Sequence, residues 1–139
     1  MLMIPYPTIL LADDDPSTLQ LLGSMLDGLP VRMLYADNGV EAINLVEHQK
    51  PALAIIDYQM PGWDGLTVCR RMKEDESLTG IKIVLITGHG APPFLLEAVN
   101  HGIVDAALMK PFSHEEFLTV VTRLLPLGAS ASTAMSTRR

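Results

Sequence analysis

The chain has 139 residues, 48% of them hydrophobic and 19% charged, so it is long enough to bury one core and too apolar to be largely disordered. Its net charge is −6, and its Lys and Arg residues form no cluster larger than a doublet, which argues against a nucleic-acid-binding surface. The single cysteine, Cys69, excludes a disulfide framework and a thiolate metal cage. The opening MLMIPYP lacks the basic segment of a signal peptide, and no apolar stretch approaches the ~18–20 residues that cross a bilayer, so we expect a cytoplasmic protein with no membrane partner.

The first strand is predicted over residues 8–13, a continuous apolar run typical of a strand buried on both faces. Asp15 is a good N-cap for the helix that follows, and Pro16 suits its first position. Leucines at three-to-four spacing provide the inward face of this helix, which we expect to end near Gly28. The second strand and helix are predicted over residues 31–36 and 39–48.

The same alternation occurs three more times in the second half of the chain. Asp64 is placed to cap the third helix, and Ser113 with Glu116 forms a capping box for the fifth. The strands are predicted over 53–57, 81–87 and 105–109, and the third and fourth helices over about 65–75 and 92–101.

Five strand–helix units within ~120 residues favour an α/β fold, a parallel sheet with right-handed crossovers. We predict one domain over residues 7–126. The remainder, 127–139, consists of small and polar residues and is interpreted as a flexible tail or the stub of a linker.

Polar residues end four of the predicted strands. They are Asp13 and Asp14, Asp57, Thr87 and Lys110. Ligands of open parallel sheets bind outside the carboxyl ends of the strands, so these side chains are expected to converge on one crevice. Carboxylates there suit a divalent cation, whereas an ammonium and a hydroxyl suit an anion. This combination favours transfer of a phosphoryl group to a carboxylate.

The chain resembles the receiver domains of two-component response regulators over essentially residues 7–126. The resemblance rests on LLADDDP, on DxxMPxxDG in IIDYQMPGWDG, on the Thr of VLITG and on the Lys of LMKPF. It implies a flavodoxin-like, doubly wound (βα)5 fold with a five-stranded parallel sheet of order 2-1-3-4-5.

The resemblance also implies a role for each matching residue. Asp57 is the expected phosphoacceptor, and Thr87 and Lys110 are expected to bind phosphoryl oxygens. Mg²⁺ is the implied cofactor. Its expected ligands are Asp14, Asp57 and the backbone carbonyl of Gln59, with Asp13 acting largely through water. The peptide bond between Lys110 and Pro111 is expected to be cis.

On this interpretation the protein is a signalling domain rather than an enzyme acting on other molecules. Asp57 attacks a phosphohistidine of a sensor histidine kinase or histidine phosphotransfer protein, and slow autodephosphorylation resets the domain. Output is expected through contact with a downstream protein or domain, without nucleic acid binding by this domain. A homodimer through the fourth helix, fifth strand and fifth helix is left open.

The sequence departs from the family at Ala107, where many receivers have a Tyr or Phe that couples to the conserved Thr. The segment from Gly102 to Lys110 also looks one residue longer than usual. We therefore expect the face built from the fourth helix, fifth strand and fifth helix to signal by a different route.

Other residues near the acceptor allow more than one interpretation. Positions equivalent to Gln59 and His89 modulate dephosphorylation in the family, and a solvated loop residue is the alternative for His89. Trp63 either packs over the loop after the third strand or is exposed for a partner.

Three alternatives compete with the phosphoacceptor interpretation. One is a receiver-like interaction module that works without phosphorylation, which Ala107 keeps open. Another is a haloacid-dehalogenase-type phosphatase, because Asp13, Asp15 and Ser17 mimic its nucleophile motif, but the chain lacks room for a cap domain. An EF-hand starting at Asp13 fails because the loop lacks the required Gly and Glu.

Overall fold

Five strands form one parallel sheet in the computed structural model, which describes residues 6–88 and 92–125. The strand order is β2-β1-β3-β4-β5, and every adjacent pair is parallel, which confirms the predicted fold class. The strands are β1 (Thr8–Ala12), β2 (Arg32–Ala36), β3 (Leu53–Asp57), β4 (Lys82–Thr87) and β5 (Ala106–Met109).

Each strand is followed by a helix, and a short 3₁₀ helix, Glu76–Leu78, precedes β4. The five α-helices are α1 (Pro16–Met25), α2 (Gly39–Gln49), α3 (Gly65–Glu74), α4 (Phe94–Asn100) and α5 (His114–Leu124). None of the helices within the described ranges combines the length and apolar character that crossing a bilayer requires.

The predicted caps account for where four of the helices begin. Asp15 accepts a hydrogen bond from the Ser17 amide at the start of α1, and Asp64 accepts one from the Thr67 amide at the start of α3. The other two predicted caps are Asn38 for α2 and the Ser113–Glu116 capping box for α5, and both are present.

Alternate residues of the sheet pack against two layers of helices. Leu10 and Ala12 of β1 belong to the core cluster that includes α2, α3 and α4, whereas Ile9 and Leu11 belong to the cluster that includes α1 and α5. Every residue of β3 is buried, because this central strand is covered on both faces. Asp57, the last residue of β3, therefore belongs to a strand that is buried along its whole length.

The structure differs from the predicted boundaries in a few places. Helix α1 ends at Met25, three residues before Gly28, and α4 begins two residues later than predicted. The 3₁₀ helix was not predicted, since three residues carry too little periodicity to show in a sequence. The predictions for 127–139 and for the side chain of His89 fall outside what the structure describes.

Candidate functional site

The carboxyl ends of four parallel strands meet at one edge of the sheet, as the sequence predicted. Asp13 and Asp14 follow β1, Asp57 is the last residue of β3, and Thr87 is the last residue of β4. Lys110 follows β5 directly. Residues from positions 13 to 110 are thus neighbours because the strand order places β1, β3, β4 and β5 side by side.

Lys110 links the two buried acids of this crevice. Its Nζ lies 3.3 Å from Asp13 Oδ2 and 3.2 Å from Asp57 Oδ1. Asp13 is 1% exposed and Asp57 is 6% exposed, whereas the Lys110 side chain is 36% exposed, so water screens these pairs in part. Thr87 is also buried, whereas Asp14 is exposed.

The surroundings of Asp57 in the crevice disfavour its ionised form. Burial, and next the nearby charge of Asp13, raise the pKa of Asp57 to about 6 even though Lys110 lowers it. Burial lowers the pKa of Lys110, but the carboxylates of Asp57 and Asp13 outweigh this, so the pKa of Lys110 is raised. The Lys110 ammonium therefore stays charged. This one positive charge does not fully offset the burial of Asp57 and its repulsion by Asp13.

The three acids form a group that could hold a metal ion. Asp13, Asp14 and Asp57 each offer a carboxylate oxygen, and these oxygens lie within 4.8 Å of one another. An oxygen-only donor set of this kind suits a hard divalent cation such as Mg²⁺, which usually takes one or two carboxylates and completes its shell with water or phosphate. A cation here would also offset the two effects that raise the pKa of Asp57, its burial and next the charge of Asp13. The residues present therefore fit a Mg²⁺ ion.

Backbone hydrogen bonds hold the strand ends in place. The Lys110 amide donates to the Thr87 carbonyl at 2.7 Å, which fixes the lysine beside the threonine. The Asp13 amide donates to the Ala36 carbonyl at 3.0 Å, and Asp13 Oδ1 accepts from the Asp15 amide at 2.9 Å. The loop after β1 is therefore tied both to β2 and to the start of α1.

Gly65, the first residue of α3, makes a close backbone approach to which sequence reasoning assigned no role. A Cβ on Gly65 would overlap the Asp57 carbonyl oxygen and would lie 2.9 Å from Tyr58 Cα. The Gly65 amide donates to the Tyr58 carbonyl at 2.8 Å, which closes the loop between β3 and α3. Only a residue without a side chain fits here, and the position of Gly65 at the end of DxxMPxxDG was the available signal.

Asp15 has a structural role that accounts for its place in the acidic run. Its two carboxylate oxygens accept from the Ser17 amide and the Thr18 hydroxyl, both at 3.0 Å. This is the N-cap of α1 rather than part of a nucleophile motif.

Comparison with known proteins places this arrangement in a family. A family model described as the response regulator receiver domain matches residues 9–122. The chain belongs to the response regulator receiver domain family.

Curated relatives and solved structures agree with this assignment. The DNA-binding dual master transcriptional regulator RpaA of a Synechocystis strain is 33% identical over 119 residues, which cover 86% of this chain and 49% of that protein. Sporulation initiation phosphotransferase F of Bacillus subtilis is 30% identical over 123 residues, covering 88% of this chain and 96% of that protein. A crystal structure of a putative response regulator from Chloroflexus aurantiacus is similar with a TM-score of 0.79 and 27% identity, covering 88% of this chain and 99% of that one.

The match in length varies among relatives of this receiver domain. The chain spans about half the length of RpaA but nearly all of sporulation initiation phosphotransferase F.

Strand β5 of the receiver domain carries the position at which the sequence departs from many family members. Ala107 lies on β5 with its side chain exposed, paired in register with Leu85. Met109 pairs with Thr87 and is 55% exposed. The peptide bond between Lys110 and Pro111 is cis, as expected.

Of the two interpretations of Trp63, the structure supports the packed one. Its ring is partly buried against the core cluster that includes α2, α3 and α4, and the guanidinium of Arg71 lies 5.5 Å from the ring centroid. Gln59, in the same loop, has an exposed side chain, and the metal-binding role of its backbone carbonyl stays a prediction. Cys69 is buried, and burial raises the pKa of its thiol to about 12, so it is an inert core residue.

Proposed function

We propose that this receiver domain, residues 7–126, accepts a phosphoryl group on Asp57 and changes its protein contacts as a result. The observation that supports this best is the position of Asp57. It is a buried carboxylate at the end of the central strand, 3.2 Å from a lysine ammonium and grouped with two further acids.

Each residue of the crevice has a defined part in the proposed reaction. Mg²⁺, when bound, neutralises charge on the oxygens of the transferred phosphoryl group. Asp14, Asp57 and the backbone carbonyl of Gln59 are the proposed ligands. Asp13 is proposed to act through water, in keeping with its burial beneath Lys110 and the exposure of Asp14.

The transfer is a displacement at phosphorus. A carboxylate oxygen of Asp57 forms the new P–O bond as the P–N bond of a partner's phosphohistidine breaks, and the bonding electrons return to the imidazole nitrogen. Lys110 pairs with one phosphoryl oxygen and the Thr87 hydroxyl donates to another, which stabilises charge in place of solvent. Water later attacks the phosphorus of the acyl phosphate, the P–O bond to Asp57 breaks, inorganic phosphate is released and the carboxylate is restored.

The proposed partners follow from this chemistry. The donor is a sensor histidine kinase or a histidine phosphotransfer protein, and the output is a downstream protein or domain. A relative named as a DNA-binding regulator is about twice as long as the matched region, so an output activity of that kind would belong to sequence outside this domain.

The test is incubation with acetyl phosphate and Mg²⁺, followed by intact-mass analysis. The wild type is expected to gain one phosphoryl group, and EDTA or Asp57→Asn is expected to abolish the gain. Asp15→Asn is a matched control because Asn also caps helices and the residue points to α1. Uptake that persists undiminished in Asp57→Asn would place the acceptor elsewhere.

A second candidate function is a receiver-like interaction module that works without phosphorylation. Ala107 favours it, because the side chain that couples phosphorylation to output in many receivers is missing. A folded wild type that takes up no phosphoryl group from either acetyl phosphate or a phosphohistidine donor would support this alternative.

A further inference from the structure

One short segment contacts both loops that carry the proposed metal ligands. This segment runs from the end of β2 to the start of α2, residues 36–39, and is called the β2–α2 turn below. At one end, the Ala36 carbonyl accepts from the Asp13 amide at 3.0 Å. At the other end, Gly39 packs against Trp63 in the loop between β3 and α3.

The contact between Gly39 and Trp63 is unusually close. A Cβ on Gly39 would overlap the Trp63 carbonyl oxygen and would lie 2.6 Å from the Trp63 Cβ. Gly39 is buried and is the first residue of α2. The backbone of the loop between β3 and α3 is therefore in direct contact, at Trp63, with the start of α2.

The start of α2 is itself held firmly. Asn38 accepts from the Glu41 amide at 2.8 Å, and the Glu41 carboxylate accepts from the Asp37 amide at 3.0 Å. These two hydrogen bonds lie within the turn and the first turn of α2, and they order it in addition to its bond with Asp13. The β2–α2 turn is thus an ordered segment that contacts both the loop after β1 and the loop after β3.

The ring of Trp63 keeps the loop in this position. It is partly buried against the core cluster, and Arg71 of α3 lies over it. The Gly65–Tyr58 hydrogen bond closes the same loop at its base. Gln59, whose carbonyl is a proposed metal ligand, lies between these two points of attachment.

We infer that Trp63 is a positioning residue: the packing of its ring on the core and the contact of its backbone and Cβ with Gly39 together hold the Gln59 carbonyl in place for a divalent cation. This inference rests on the proposed function, since it concerns the metal site of that function. Residues that orient metal ligands typically change metal affinity by 10- to 100-fold when mutated. Strands β1 and β3 pair directly, and this pairing fixes the strands themselves. The β2–α2 turn therefore affects only the positions of the loops that follow these two strands.

The experiment is calorimetric titration of the purified 139-residue protein with Mg²⁺. Trp63→Ala is expected to weaken Mg²⁺ binding about tenfold, whereas Trp63→Phe, which keeps an aromatic ring, is expected to stay within about twofold of the wild type. Arg71→Gln is expected to weaken it about two- to threefold through loss of the cation–π contact. Arg70→Gln, which changes the neighbouring exposed arginine of α3, is the matched control and should bind as the wild type does.

A second measurement separates positioning from general destabilisation. Hydrogen exchange in EDTA is expected to show faster exchange of the Gly65 amide in Trp63→Ala, while amides of β1 and β4 keep their wild-type protection. Gly39→Ala should produce the same two effects because its Cβ displaces the loop, whereas Gly80→Ala has open space around it and should produce neither.

The outcomes distinguish the inference from the proposed function. A folded Trp63→Ala protein that binds Mg²⁺ within about twofold of the wild type would overturn the inference alone. A general loss of protection in β1 and β4 would also overturn it, because the role of Trp63 would then be stability. A wild type that binds no Mg²⁺ would contradict the proposed function itself.

Discussion

Lys110 Nζ lies 3.2 Å from Asp57 Oδ1, joining the end of β5 to the end of β3 across the intervening strand β4. The same ammonium reaches Asp13 at 3.3 Å. One cation thus serves two buried carboxylates, and the crevice remains short of positive charge. The predictions for the pKa of Asp57, for stability against pH and for Mg²⁺ affinity follow from this excess of negative charge.

Removing the lysine charge is expected to raise the pKa of Asp57 further. An opposite charge at this distance typically lowers a carboxyl pKa by about 1–3 units, so Lys110→Met should move it above its present value of about 6 by roughly one unit or more. Carbon-detected NMR titration of the carboxyl group measures the shift. Lys82→Met, at the opposite end of β4, should leave the titration unchanged, and an unchanged Asp57 in Lys110→Met would contradict the pairing.

Stability without a divalent cation is expected to fall as pH rises from about 4 to 6. The folded state keeps a proton on Asp57 up to a pKa of about 6, whereas the unfolded chain releases it near 3.8, so folding binds protons in this window. The penalty is fully present above pH 6 and amounts to about 3 kcal/mol from the shift in pKa.

Urea denaturation of the wild type and of Asp57→Asn in EDTA across this pH range isolates the contribution of Asp57 titration to the free energy of unfolding. The difference in unfolding free energy between the two proteins should vary between pH 4 and 6 and level off above. A difference independent of pH would show that Asp57 titrates normally.

Mg²⁺ affinity is expected to weaken as pH falls below about 6. Mg²⁺ binds the carboxylate form, so each proton that must leave Asp57 costs up to about tenfold in apparent affinity per pH unit below its pKa of about 6. Calorimetry in buffers of different ionisation enthalpy would detect the released proton. Affinity that stays constant from pH 7 down to 5 would exclude Asp57 as a ligand.

Gly65→Ala is expected to destabilise the fold by about 1–3 kcal/mol, because its Cβ overlaps the Asp57 carbonyl and the backbone must shift. Urea denaturation measures the loss. Gly80→Ala is the control, since nothing lies within 4 Å of its added Cβ and the change should be neutral or slightly stabilising. Equal effects of the two substitutions would contradict the close approach.

Beryllofluoride, a phosphoryl mimic, is expected to shift amide resonances around Asp57 and Thr87 more than those of α4. Ala107 has no side chain beyond Cβ that can turn between two positions, so the route used by many receivers is missing here. Ala107→Tyr is tolerated in principle because the site is exposed, and it should enlarge the α4 shifts. Large α4 shifts in the wild type would instead reveal another route, with Met109, paired with Thr87, as the first residue to test.

The sequence by itself determined the alternation of elements, the parallel sheet and the identity of the residues at its carboxyl edge. Apolar runs, caps such as Asp15 and Asn38 and the acids that end strands are local signals, and local signals are readable along the chain. The resemblance to receiver domains added the strand order.

Only the tertiary structure decided which acid is buried and which is exposed. Asp13 and Asp14 are adjacent and chemically identical, but the side chains of a strand end alternate in direction, and one faces Lys110 while the other faces solvent. The place of Trp63 was undecided for the same kind of reason. Its contact with Gly39 joins segments 24 positions apart, and such a contact depends on how two loops pack rather than on any pattern within either of them.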